Sequence, residues 1–263
     1  MKILLHTIAL EPARWIPKRV SCRLVDLLAP IAKAGFDQLE IYEPHLDEGA
    51  AEIREGLVQH QLKPVMLSSY LNLNPAETSD MELSAKLEVL AGRIKFFGFQ
   101  KLRLFAGSRM SPTDNAAIAR FSTRIRNLAN RLPRTEVLLE THDGSLADNP
   151  RLLVRIIEEL ALPNVGLLYQ PTLFTAKEAL DQLALQKHLI RHVHLQNRNP
   201  DLTFSTLRDG MVPWKSILAG LSPGVDATLE FVPAGICTVE QFKLQETLDQ
   251  ACSEAEYIRQ LMP

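Results

Sequence analysis

Four stretches decide how this chain is read: EVLLETHDG (136–144), VGLLYQP (165–171), RHVHLQN (191–197) and ATLEFVP (227–233). Each is a short apolar run that ends in a polar side chain able to bind a metal or move a proton: Glu140, Gln170, His194 and Glu230. Such runs suggest a parallel barrel with a metal or proton-transfer site at its C-terminal mouth. In barrels of that kind the catalytic groups come from the ends of several strands.

Working outward, strand-like runs alternate with helix-like segments. The strands are expected over KILLHTI (2–8), FDQLEIYE (36–43), KPVMLSS (63–69), QKLRLFAG (100–107), EVLLETH (136–142), NVGLLYQ (164–170), IRHVHLQ (190–196) and ATLEFV (227–232). Between them lie segments with apolar residues at helical spacing, such as SCRLVDLLAPIAKAG with Gly35 as its stop. Strands joined by crossover helices run parallel and are buried on both faces, which accounts for their nearly continuous apolar character. Eight strand–helix pairs, with no Gly-rich phosphate fingerprint after the first strand, favour a (β/α)8 TIM barrel over an open doubly wound sheet. The expected fold is a single α/β barrel domain over residues 1–263, a length that suits it.

Composition narrows the function. With 29 basic and 31 acidic residues, the net charge of −2 gives no footprint for nucleic acid. The basic stretch RFSTRIRNLANRLPR (120–134) has helical periodicity and reads as a solvated helix face. Cys22, Cys237 and Cys252 are too sparse and too far apart for a disulfide framework, which points to a reducing compartment. MKILLHTIAL lacks a cleavage site and reads as a first strand, and no apolar run has the length of a membrane span. The expected location is cytoplasmic, and the expected partner is a small-molecule substrate, with no nucleic acid and no membrane.

Side chains alternate along a strand, so Glu140 and His142 share a face, as do His192, His194 and Gln196. Two carboxylates, an imidazole and an amide oxygen suit a divalent metal: Mn²⁺ or Mg²⁺ for oxygen ligands, Co²⁺ or Zn²⁺ for a mixed set. Arg103 is placed to hold a substrate carboxylate or hydroxyls, or else to pair with an inward carboxylate. His142 is a candidate acid/base. Tyr70 and Asn197 are candidate substrate contacts, and His6, Glu43 and Trp214 also fall near strand ends. Trp214 with Met211 and Pro213 forms either an apolar wall or packing beneath a loop. His45, His60 and His188 are expected to be chemically idle.

Along nearly its whole length the chain resembles the xylose isomerase-like barrel family of sugar isomerases and epimerases. The resemblance is carried by AGFDQLEIYEPH, SSYLNL, KLRLFAGS, LLETHDGSLADN, RHVHLQN, GMVPW and TLEFV. Several of these motifs are most similar to small 3-dehydroshikimate dehydratases. The resemblance implies a divalent metal on Glu140, Gln170, His194 and Glu230, with Glu140 and Glu230 flanking the substrate. It implies isomerisation or epimerisation of a polyhydroxylated carbonyl compound through an enediolate. Its alternatives are dehydration of a cyclic keto acid, or a binding barrel without turnover. Family barrels often associate, so a homo-oligomer is compatible. Two positions depart from the family: Gln170 stands where Asp is usual, and Leu173 where a His often follows. The first removes a negative charge from the ligand set, and charge count tunes divalent affinity.

Overall fold

A computed structural model describes residues 1–16, 20–47, 49–105 and 107–262. The barrel strands are β1 (Ile3–His6), β2 (Gln38–Tyr42), β3 (Lys63–Ser69), β4 (Lys101–Leu104), β5 (Glu136–Glu140), β6 (Val165–Tyr169) and β7 (Ile190–Leu195). A two-stranded ribbon follows, β8 (Asn197–Arg198) against β9 (Phe204–Ser205), and β10 (Asp226–Leu229) is the eighth barrel strand. All barrel pairings are parallel, and β1 closes the ring on β10, with Ile3 opposite Ala227 and Leu5 opposite Leu229. The expected TIM barrel is what forms. The ribbon between β7 and β10 is an addition to the strict alternation read from the sequence.

Among the described residues eight α-helices surround the ring: α1 (Leu24–Lys33), α2 (Ala50–Gln59), α3 (Asp80–Phe97), α4 (Asn115–Arg131), α5 (Pro150–Leu160), α6 (Ala176–Gln186), α7 (Trp214–Ala219) and α8 (Leu244–Leu261). Their limits are written in local chemistry. Ser79 accepts from the Glu82 amide at the start of α3, and Gly98 in the left-handed region ends that helix. Asn149 caps α5 and Pro150 occupies its first turn.

Among the described residues the core has three clusters, the smallest of which gathers Ile8, Tyr42 and Phe231. Leu5, Leu39, Ile41, Leu67, Leu102, Leu139, Leu167, Val193 and Leu229 pack outward with helix residues such as Leu28, Ile53, Leu90 and Ile157. A smaller cluster, Leu4, Val65, Met66, Leu138 and Leu168, fills the barrel interior. Strand alternation therefore places His6, Glu40, Arg103, Glu140, His192 and His194 on the inner face. Above its apolar plug the barrel is polar, and burying these charges is tolerable only because they pair.

Candidate functional site

The site is a buried floor at the C-terminal mouth. His194, from β7, sits between carboxylates: its Nδ1 lies 2.9 Å from Glu140 Oε1 and 3.4 Å from Glu230 Oε1. On its other side Nε2 lies 2.9 and 3.1 Å from the two oxygens of Glu40, on β2. Arg103, on β4, ion-pairs with Glu140 through Nη2, while its Nε and Nη1 are buried without a partner. Gln196 Nε2 donates to Glu230 Oε2 at 2.8 Å, and Arg198 Nη2 donates to Gln196 Oε1 at 3.2 Å. With its amide oriented to satisfy both ends, Gln170 donates to Glu230 Oε2 (2.7 Å) and Glu140 Oε1 (3.2 Å).

Burial alone would discharge His194. The Glu40 carboxylate, then Glu230 and Glu140, outweigh that effect and hold its pKa well above the ordinary histidine value. Burial pushes Glu40 up, but His194 and then His6 hold it far below the usual carboxylate range. For Glu140 burial is likewise opposed, first by Arg103 and then by His194, which bring it to about 2. Burial keeps His6 neutral, lowered to about 3 despite the neighbouring Glu40.

The donor set fits a divalent cation. Ligand atoms of Glu140, His194 and Glu230 all lie within 4.8 Å of one another. When His194 is neutral, three carboxylates, Glu40, Glu140 and Glu230, stand around the buried Arg103 guanidinium, and a divalent ion would offset their excess negative charge. Glu40 also sets the tautomer: by accepting from Nε2–H it leaves the Nδ1 lone pair facing Glu140 and Glu230, the carboxylate–histidine arrangement common behind metal ligands. To join such a set Gln170 would have to turn its oxygen toward the floor.

A cavity of about 410 Å³ opens above the floor, lined by Arg103, Gln170, Gln196, Glu230, His142 and Tyr70 among others. Tyr70 lies over Arg103, with its ring centre 4.9 Å from the guanidinium carbon. His142 Nδ1 lies 2.7 Å from the Asp143 carbonyl oxygen. A carbonyl only accepts, so Nδ1 carries the proton and Nε2 is the basic nitrogen of the neutral ring.

The structure thus gathers Glu140, Gln170, His194, Glu230 and Arg103 on the floor and brings Tyr70 and His142 to the cavity wall. It corrects Asn197: its amide donates to the Leu207 and Val212 carbonyls and accepts from the Arg198 and Val212 amides, so it holds the ribbon and does not face the cavity. Trp214 is packing, 1% exposed, with Nε1 donating to the Gln196 carbonyl. His45 bonds Thr7 and Glu11 in a buried loop network. Sequence reasoning passed over Glu40 and Arg198. For Glu40 a signal existed, since the alternation Gln38, Glu40, Tyr42 puts a lone acid mid-strand between Leu39 and Ile41.

The model of the xylose isomerase-like TIM barrel family matches residues 28–261. The chain belongs to this family. Among solved structures it is similar to the probable 3-DHS dehydratase AsbF of Bacillus anthracis, at 20% identity over 95% of this chain and 98% of that one, with a TM-score of 0.74. The D-allulose 3-epimerase of a Methylomonas species gives 18%, 100%, 98% and 0.71. A xylose isomerase-like barrel protein of Mycobacterium smegmatis, solved with magnesium, gives 15%, 99%, 96% and 0.72. At these identities the likeness establishes the fold. Among curated proteins none matches the chain. No helix among the described residues is long and apolar enough to cross a membrane.

Proposed function

We propose that this barrel is a divalent-metal-dependent isomerase or epimerase of a small polyhydroxylated carbonyl compound. The observation that carries the reading is the convergence of Glu140, His194 and Glu230 on one buried floor, open to a cavity that takes a small molecule. Glu140, His194, Glu230 and a reoriented Gln170 would hold the metal. Bound there, the ion would supply Lewis acidity that favours charge on the substrate oxygens.

The two glutamates are held differently. Glu140 is held at about 2 by Arg103 and His194, so it is a weak proton acceptor. Glu230 lines the cavity, and Gln196 and Gln170 hold its Oε2. Glu230 is therefore assigned the removal of the proton beside the carbonyl, and His142, through Nε2, the return of a proton. Tyr70 and Arg103 orient the substrate, and fixed donors around the floor stabilise the enediolate.

The test is metal content and carbon–hydrogen exchange together. Wild type, Glu140→Ala and Glu230→Gln are loaded with Mn²⁺, Mg²⁺, Co²⁺ or Zn²⁺, desalted and analysed. Each is then incubated with keto-sugars in deuterated water and followed by NMR. Support is about one ion per chain in wild type, lost in Glu140→Ala, with deuterium uptake lost in Glu230→Gln. A wild type that retains no metal and exchanges nothing refutes the reading.

One observation favours a second reaction on the same floor. The buried, unpartnered Nε and Nη1 of Arg103 suit a substrate carboxylate, as in dehydration of a cyclic keto acid. Ultraviolet absorbance of an aromatic product from 3-dehydroshikimate, and none from keto-sugars, would select that reaction.

A further inference from the structure

The rim of the mouth is apolar where the floor is charged. Trp15 is 63% exposed, Tyr70 49%, Leu173 53% and Leu202 64%, and all four line the one cavity. They come from four different loops, after β1, β3, β6 and within the β8–β9 ribbon. Phe174 and Phe231, from the same wall, extend the surface inward, and the Trp15 and Phe231 ring centres lie 5.7 Å apart. Large apolar side chains left half in water bury little of their surface on folding, and a patch of them at a pocket marks a binding surface.

Leu202 adds a backbone observation. The turn bonding the Leu202 amide to the Asn199 carbonyl puts Leu202 at φ 67°, the left-handed region where glycine is cheap and a branched side chain is disfavoured. The chain keeps a leucine there with most of its side chain in solvent. Arg198, at the base of the same ribbon, lies with its guanidinium carbon 3.3 Å from the Phe204 ring centre and faces the cavity. The ribbon therefore carries a polar contact at its foot and an apolar one at its tip.

We propose that the substrate is a two-part molecule: a polyhydroxylated end that reacts on the floor, joined to an aromatic aglycone that the collar of Trp15, Tyr70, Leu173 and Leu202 holds. The substrate class is then the keto forms of aryl glycosides, which carry the carbonyl that the floor's chemistry needs, rather than free sugars. Two features agree with that class. The cavity, at about 410 Å³, falls in the size range of sites for drug-sized ligands. Aromatic walls also favour flat partners through offset or edge-on ring contacts. The polyhydroxylated end rests on the function proposed above, whereas the collar stands on its own observations.

Binding tests this without turnover. Phenyl and methyl β-glycosides of glucose and galactose are titrated into wild type, Trp15→Ala and Leu202→Gly, with calorimetry as the readout. Of the two tryptophans only Trp15 is exposed, so its fluorescence gives a second, local readout. The expected result is that phenyl glycosides bind about tenfold tighter than methyl ones and quench Trp15. Each variant should lose most of that preference and keep its methyl-glycoside affinity. Leu202→Gly relieves the positive φ, so the fold survives the change. Equal affinity for phenyl and methyl forms, no binding of either, or a preference untouched by the variants overturns the proposal. So does a wild-type dimer that both variants dissolve, because the collar would then be an interface. Retained metal and deuterium exchange with no aryl preference would remove the collar proposal alone. Aryl preference without metal would leave the collar and remove the catalytic reading.

Discussion

Replacing Glu40 by Gln tests the electrostatic centre of the barrel. Glu40 and His194 meet at 2.9 and 3.1 Å with both side chains fully buried. Two unit charges at about 3 Å attract by roughly 5 kcal/mol at an effective dielectric near 20. Gln keeps the shape and an acceptor for Nε2–H, and it removes the desolvation cost of the carboxylate. It also leaves the protonated imidazole leaning only on Glu140 and Glu230. Removing one member of a buried pair typically costs about 3–5 kcal/mol, and the retained hydrogen bond puts this case near 3. In a chelator at pH 7 the variant should melt roughly 6–10 °C lower.

The same substitution weakens the hold on the His194 tautomer. Divalent affinity should fall about 10–100-fold, as loss of a carboxylate behind a ligating histidine does elsewhere. Thermal melts with chelator and metal titration of both proteins are the assays. A loss below about 1 kcal/mol with unchanged metal affinity would refute the reasoning. It would show that the proton sits on Glu40 and that His194 is neutral in the metal-free protein.

Other predictions follow from the loops and caps. Glu11 accepts from the amides of Ala13 (2.8 Å), Ser21 (2.9 Å) and Cys22 (3.1 Å), and from His45, closing the loop that carries Trp15. Burial would raise its pKa, but the His45 and Ser21 bonds and the amides bring it from 4.5 to about 2. A lowered folded-state pKa means full stabilisation above about pH 4.5 and loss as the pH falls toward 2, on the order of 3 kcal/mol. Melting between pH 7 and pH 3 should therefore fall more steeply in wild type than in Glu11→Gln; parallel curves would contradict this. Ala161 ends α5 at φ 49°, so Ala161→Gly should stabilise by about 0.5–1 kcal/mol, read as a higher urea midpoint. A Cβ on Gly210 would run into the Asn197 side chain that holds the ribbon. Gly210→Ala should cost about 1–3 kcal/mol and raise amide exchange in 197–212, and unchanged exchange there would argue against that role for Asn197.

The strands were legible because each is a short apolar run, and the site because four of them end in ligand-type side chains. What the sequence hid depends on partners remote in the chain. Asn197 ends a strand like the others, but its amide is claimed by Leu207 and Val212, which only the folded ribbon brings near. Arg103 admitted two roles, and it is the inward parity of β4 and β5 that pairs it with Glu140. Glu40 is harder to read because it lies mid-strand, away from the strand ends where ligand-type side chains stand out. Its presence changes the meaning of Gln170. Counted by strand ends, Gln in place of the family's Asp leaves the ligand set one negative charge short. In the closed barrel Glu40 reaches His194 from the opposite wall, and the floor holds three carboxylates after all. That third carboxylate stands on β2, behind the imidazole instead of beside it. The floor therefore carries a third acidic group beyond the strand-end pair, while Gln170, as a donor to Glu140 and Glu230, steadies those two carboxylates.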